Sequence, residues 1–187
     1  EKEEKAKIRL EKEIARTECL MVYEHRFESR TFIAGIDEVG RGPLAGPVVA
    51  CVVILPKDHL ILGLNDSKKL TPKKREELYE VITKEAVDFA CGMVPPKRID
   101  EINILQATYE AMREAIHKLS VKPDLLLNDA VTIPKVAIPQ VPIIGGDGKS
   151  VSIAAASIVA KVTRDRMMEE YDDMFPGYQF RQNKGYG

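Results

Sequence analysis

At 187 residues, 44% of them hydrophobic, the chain can bury one proper core, and nothing in it asks for a second. Lysine plus arginine (28) nearly cancel aspartate plus glutamate (29), and the formal charge of −1 excludes a globally basic polyanion binder, so any nucleic acid must be held by a local basic patch. No apolar run reaches membrane length and no signal or lipidation motif is present, so no membrane association is expected.

Residues 1–30 read as an N-terminal helical extension, dense in Glu, Lys and Arg with Ile8, Ile14, Ala15, Leu20, Val22 and Phe27 at roughly helical spacing. A solvated helix packed by one narrow stripe explains it. Cys19, Cys51 and Cys91 are widely spaced, with no CxxC and no histidine at ligand spacing. They read as buried thiols, which suits a reducing, cytoplasmic setting. Ser29-Arg30-Thr31 makes a boundary, and residues 31–187 follow as one domain.

Phe32, Ile33, Ala34 and Ile36 predict a short buried strand with Asp37 and Glu38 at its carboxyl end. Neighbouring strand residues point to opposite faces, so both acids can serve one site only if Glu38 lies in an irregular turn, which Gly40 and Gly42 can supply. A dinucleotide-binding fingerprint fails here. Ala45 stands where a third glycine is needed, and Pro47 to Leu55 is a β-branched strand rather than a helix. What remains is a carboxylate site for a divalent metal, or a solvated acid pair in a loop.

Beyond the Pro56–Leu64 loop, Thr71 and Pro72 cap a helix that buries Leu78, Val81 and Ile82. Lys68, Lys69, Lys73, Lys74 and Arg75 crowd its start, where the helix dipole repels cations and an anion such as phosphate would compensate. Val87 to Met93 alternates as a strand, and Ile102 to Leu119 steps by three and four as one helix. Leu125-Leu126-Leu127 is a strand covered on both faces that closes with Asn128-Asp129. If it lies parallel to the first strand, Asp129 and Asp37 share an edge; a turn-forming Asp129 is the alternative. Val141 to Ile144 is a further strand, followed by Asp147 in a glycine-rich turn and a helix from about Ser150. Its Ala154, Ala155, Ala156 and Ala160 allow close packing, while Arg164, Asp165, Arg166, Glu169, Glu170, Asp172 and Asp173 read as its wet side. Ser157 and Lys161 are one residue too far apart for a Ser/Lys nucleophile pair, and the three histidines lack partners.

The stretch GIDEVGRGPLAGPVVA (35–50), the NDSK element (65–68) and the terminal KGYG (184–187) resemble the type 2 ribonucleases H, from about Thr31 to Gly187. The resemblance implies an α/β ribonuclease H-like fold, a mixed sheet of about five strands with helices on both sides. It implies an endonuclease acting on RNA/DNA hybrids and on DNA containing single ribonucleotides, with Asp37, Glu38, Asp129 and Asp147 as catalytic acids. Asp37, Glu38 and Asp129 are the expected ligands of Mg2+ or Mn2+, with Asp147 on a second ion or in support. Gly40, Arg41, Gly42, Ser67, Lys68, Lys149 and Tyr186 are the expected substrate contacts, in a protein expected to act as a monomer. Type 3 relatives usually carry Thr where Arg41 stands. A junction resolvase would have no use for the glycine loop or KGYG, and a hybrid-binding module without catalysis would tolerate loss of the acids. Gly146 stands where many relatives have Lys, and the helical tail that follows KGYG in the family is absent from this sequence, so weakened substrate binding is expected.

Overall fold

The computed structural model describes residues 1–187. Strands β1 (Ile33–Val39), β2 (Val48–Ile54), β3 (Asp88–Val94), β4 (Leu125–Asp129) and β5 (Gln140–Ile143) form one mixed sheet in the order β3-β2-β1-β4-β5. The first three run antiparallel, whereas β4 and β5 add in parallel beside β1. This is the architecture expected from the sequence.

β2 shows why the sheet is covered on both sides. All seven of its residues are buried: Val49, Cys51 and Val53 feed one core, and Val48, Ala50, Val52 and Ile54 feed the other. Each Val or Ile side chain taken fully out of water contributes about 1.5–3 kcal/mol. Helix α6 (Val151–Met174) lies on the first face through Ala154, Ala155 and Ile158, with α3 (Pro72–Glu85) packed outside it through Leu78 and Ile82. Helices α4 (Pro96–Ile102) and α5 (Ile104–Lys118) cover the second face, where Ala107, Ala111 and Met112 meet Ala50 and Leu126. The first turn of α6 comes so close to β1 that a Cβ on Gly35 would fall on the backbone of Ser152 and Ile153.

Several expectations are corrected. β1 continues through Val39, paired with β2 as far as Val39 opposite Val49, so Asp37 and Glu38 stand within a regular strand. The single helix expected over 102–119 is broken at Asn103, whose φ of 69° ends α4 and whose side chain accepts from Gln106 N to start α5. The helical period carries across such a break, so spacing alone cannot show it. Cys51 and Cys91 are not free thiols, because the β2–β3 register sets them directly opposite and they are disulfide-bonded; Cys19 is exposed.

The extension folds as α1 (Lys2–Cys19) and α2 (Val22–Arg26), with Thr17, Leu20 and Met21 buried where the two meet. α1 holds the loop before α3: Gly63 N donates to Glu13 Oε1 (2.8 Å) and Arg16 Nη2 to Leu64 O (2.8 Å). The last helix is the single turn α7 (Phe180–Asn183). No helix is long and apolar enough to cross a membrane.

Candidate metal centre

Parallel pairing of β1 with β4 puts Ile36 opposite Asn128, so each strand places its next residue, Asp37 or Asp129, at the same sheet edge on the α6 face. The turn after β5 supplies the third acid. Carboxylate oxygens of Asp37, Asp129 and Asp147 all lie within 4.8 Å of one another. Asp129 is tied to that turn, since its Oδ1 accepts from Gly146 N at 2.7 Å.

The cluster is costly to charge. Asp37 is only 7% exposed, and its pKa stands well above the usual carboxylate range because of burial first, then the charges of Glu38 and Asp129. Its one favourable contact is the Glu38 N–H, which donates to Oδ1 at 2.7 Å. The pKa of Asp147 is also raised, by burial and then by Asp66 and Asp129. Asp66 is a neighbour that sequence reasoning missed. It was legible only as part of the NDSK element, whereas its approach to Asp147 depends on the 3-10 turn Ser67–Lys69, where its side chain accepts from Lys68 N (2.9 Å).

Glu38 stands apart from the three aspartates. As the next residue on a regular strand it faces the other side of the sheet, opposite Ala50, and Oε1 accepts from Arg41 Nη1 at 3.1 Å. Burial raises its pKa while Arg41 lowers it. Its other oxygen, Oε2, is buried with no partner. An all-oxygen donor set of three converging carboxylates, with an orphaned fourth beside it, fits a hard divalent cation such as Mg2+ or Mn2+.

The glycine loop after β1 and the terminal KGYG are brought together by Arg164. Expected on the wet side of α6, Arg164 is instead 0% exposed. Nε donates to Pro47 O (2.9 Å), Nη2 to Ala45 O (2.9 Å) and Nη1 to Lys184 O (2.8 Å), which satisfies a buried guanidinium with backbone carbonyls. Gly40, with φ of +102°, leaves room for this side chain, because a Cβ there would meet Pro47 O and Arg164 Nε. Gly185 O accepts from Leu44 N (2.9 Å), and the Tyr186 ring lies beside Gly42, 3.6 Å from where a Cβ would stand. The sequence carried no signal for this, since an arginine amid acids in an amphipathic helix looks solvated.

Of the other candidates, Lys68 is exposed beside Asp147 and lowers that residue's pKa, acting against the carboxylates. Ser67 is buried with its hydroxyl bonded to Ser157 Oγ (2.8 Å). Lys149 Nζ is turned away, donating to Ile144 O at 2.8 Å. Among the helix-start cations, Arg75 is a brace rather than a free charge, donating to Ser67 O (2.9 Å) and Leu70 O (2.7 Å).

The raised acid pKa values set a pH dependence. A carboxyl whose folded pKa exceeds its unfolded value stabilises the native state while protonated, and that stability is lost as pH rises from about 4 through the raised values. A bound divalent ion favours the ionised forms and reverses the trend. The gain in melting temperature on adding saturating Mn2+ should therefore be larger at pH 8 than at pH 5, read by differential scanning fluorimetry. A gain independent of pH would contradict the cluster as the binding site.

The family profile described as Ribonuclease HII matches residues 34–187. The ribonuclease HII of Lachnoclostridium phytofermentans is 66% identical over 179 residues, 96% of this chain and 70% of that protein. That of Caldanaerobacter subterraneus subsp. tengcongensis is 56% identical over 184 residues, 97% of this chain and 76% of the relative. Among solved structures, ribonuclease H2 from Pyrococcus horikoshii OT3 superposes with a TM-score of 0.72 at 31% identity, covering 84% of this chain and 81% of that one.

Proposed function

This chain belongs to the ribonuclease HII family, and from that premise we propose that it is a metal-dependent endonuclease of RNA/DNA hybrids that also cuts on the 5′ side of a single ribonucleotide in duplex DNA. Cleavage leaves a 3′-hydroxyl and a 5′-phosphate. The observation that carries the reading is the convergence of three aspartates within 4.8 Å at the sheet edge from which the Gly40-Arg41-Gly42 loop departs.

Asp37, Asp129 and Asp147 would hold Mg2+ or Mn2+, with Glu38, on the other face of β1, adding a fourth negative charge to the site. When bound, such ions supply Lewis-acid activation of the attacking water and offset charge on the leaving oxygen. Arg41 keeps Glu38 beside the cluster through the 3.1 Å bond to Oε1. The glycines of the loop allow backbone amides and carbonyls to approach a ribose, whose 2′-hydroxyl offers both a donor and an acceptor, so the sugar is read without the base. Tyr186, exposed beside Gly42, would stack on the following deoxyribose, and Lys68 would meet a phosphate. The same proposal takes residues 31–187 as the catalytic domain with 1–30 as an extension of it, and the protein as a cytoplasmic monomer, where the Cys51–Cys91 pair would face a reducing thiol pool.

The test compares duplexes carrying one ribonucleotide, four or none. The wild type should cut the first two and spare the third. Tyr186→Ala should lose about tenfold on the single-ribonucleotide duplex, in line with the roughly 1–3 kcal/mol of one stacking contact, and lose less on the four-ribonucleotide tract. Should the wild type ignore an isolated ribonucleotide while cutting longer tracts well, the junction reading fails and type 3 behaviour is favoured.

A further inference from the structure

We infer that Glu24, on the N-terminal extension, is a positioning residue for the acid cluster, fixing the start of α6 and through it the turn that carries Asp147. A helix opens with four backbone N–H groups that lack intrahelical acceptors, and all four in α6 are accounted for. Ser150 N donates to Gly146 O (2.9 Å) and Ile153 N to Ser150 Oγ (3.2 Å). The other two are taken by the extension: Val151 N donates to Leu20 O (3.1 Å) and Ser152 N to Glu24 Oε1 (3.0 Å). Glu24 Oε1 also accepts from the hydroxyl of Ser150 at 2.5 Å, across a sequence separation of 126. A carboxylate at this end is further favoured by the helix dipole.

From Ser150 the connection runs directly to the acids. Ser150 N and Lys149 N both donate to Gly146 O at 2.9 Å, and Gly146 N donates to Asp129 Oδ1 at 2.7 Å. Asp147 is the next residue in that turn. Glu24, Ser150, Gly146 and Asp129 therefore form one unbroken hydrogen-bonded chain from the extension to the metal-binding carboxylates. Glu24 is half-buried with no cation within ion-pair distance, and its Oε2 is buried without a partner beside a cavity of about 220 Å³ lined also by His25 and Lys57. Groups that orient metal-binding carboxylates from behind typically change metal affinity by about 10–100-fold when removed.

The inference rests on the aspartate cluster being the metal site, and the experiment separates the two. Mn2+ binding is measured by titration calorimetry on the full chain without substrate, for the wild type, Glu24→Ala, Glu24→Gln, Asp129→Asn and Ile54→Val. Ile54→Val trims the α5-side core, on the opposite face of the sheet from α6, and controls for lost stability. Glu24→Ala should bind Mn2+ about tenfold more weakly. Glu24→Gln keeps an acceptor for Ser150 and Ser152 and can turn its amide to the cavity, so it should stay within about twofold to threefold of wild type, as should Ile54→Val. Wild-type affinity in Glu24→Ala, with Asp129→Asn impaired, would overturn the positioning role alone, whatever the melting temperature. Wild-type affinity in Asp129→Asn would overturn the metal assignment and this inference together. If Glu24→Ala does not fold, Glu24→Asp, which keeps the charge but withdraws the oxygens by a methylene, takes its place with the same expected weakening and the same overturning result.

Discussion

Asp37→Asn is expected to lower cleavage of an RNA/DNA hybrid by about 10³-fold or more, equivalent to about 4 kcal/mol of lost transition-state stabilisation, while the metal-free protein melts no lower than wild type. The two halves have one cause. Asp37 is almost wholly buried, and its charge is opposed by burial, by Glu38 and by Asp129. Two carboxylates about 4 Å apart repel by roughly 4 kcal/mol at an effective dielectric of 20, so the native state bears this charge at neutral pH only at a cost. An amide of the same shape removes the charge and keeps the acceptor that Glu38 N uses at 2.7 Å. The anionic donor is lost with it, and a neutral amide is a much weaker ligand for a hard cation. Initial rates at saturating Mg2+, set beside melting curves in chelator, check both halves. A folded mutant that turns over within tenfold of wild type would remove Asp37 from the metal site.

Gly35→Ala is expected to be the most damaging small substitution in the sheet. The added methyl would meet the main chain of Ser152 and Ile153 rather than a side chain that could swing aside, so β1 and α6 must separate. Overpacking against fixed atoms costs about 3 kcal/mol at the upper end of the usual range. In a chain of this length that lowers the melting temperature by roughly 6–12 °C. Because the first turn of α6 leads directly from the Asp147 turn, the hybrid-cleaving rate should fall as well, even well below the melting temperature. A stability change under about 1 kcal/mol would show that the helix approaches the strand less closely than described.

Much of the fold was legible because apolar runs ending in acids are a local signal. Ile36-Asp37 and Leu127-Asn128-Asp129 each mark where a covered strand reaches the sheet edge, and parallel pairing brings the two together. The hairpin β1–β2 could be read from the glycine loop and the β-branched run after it. The face on which Glu38 lies could not, because that depends on whether the strand stays regular past Ile36, which pairing with β2 decides. Arg164 was misread for a related reason. Helical spacing groups it with Asp165 and Glu169, but burial of that end of α6 is set by α7 and the KGYG segment closing over it. Glu24, Asp66 and the Cys51–Cys91 pair depend on contacts between segments far apart in the chain, for which one sequence holds no periodic signature.

The mixed sheet also orders the molecule in time. β1 meets β2 across a single loop, but it meets β4 only after β2, α3, β3, α4 and α5 have been threaded, and β5 joins later still. Loop closure over long stretches is the slow, entropically expensive part of folding, so antiparallel β1–β2–β3 is the natural nucleus and the parallel half condenses onto it. Asp37 then sits on the early half, while Asp129 and Asp147 arrive with the late one. A newly made chain that has formed only its meander carries Asp37 without the two aspartates that complete the cluster. On the proposed function, acquisition of Mn2+ affinity during refolding would report the last pairing event, and it should lag behind the hydrogen-exchange protection of β2 amides.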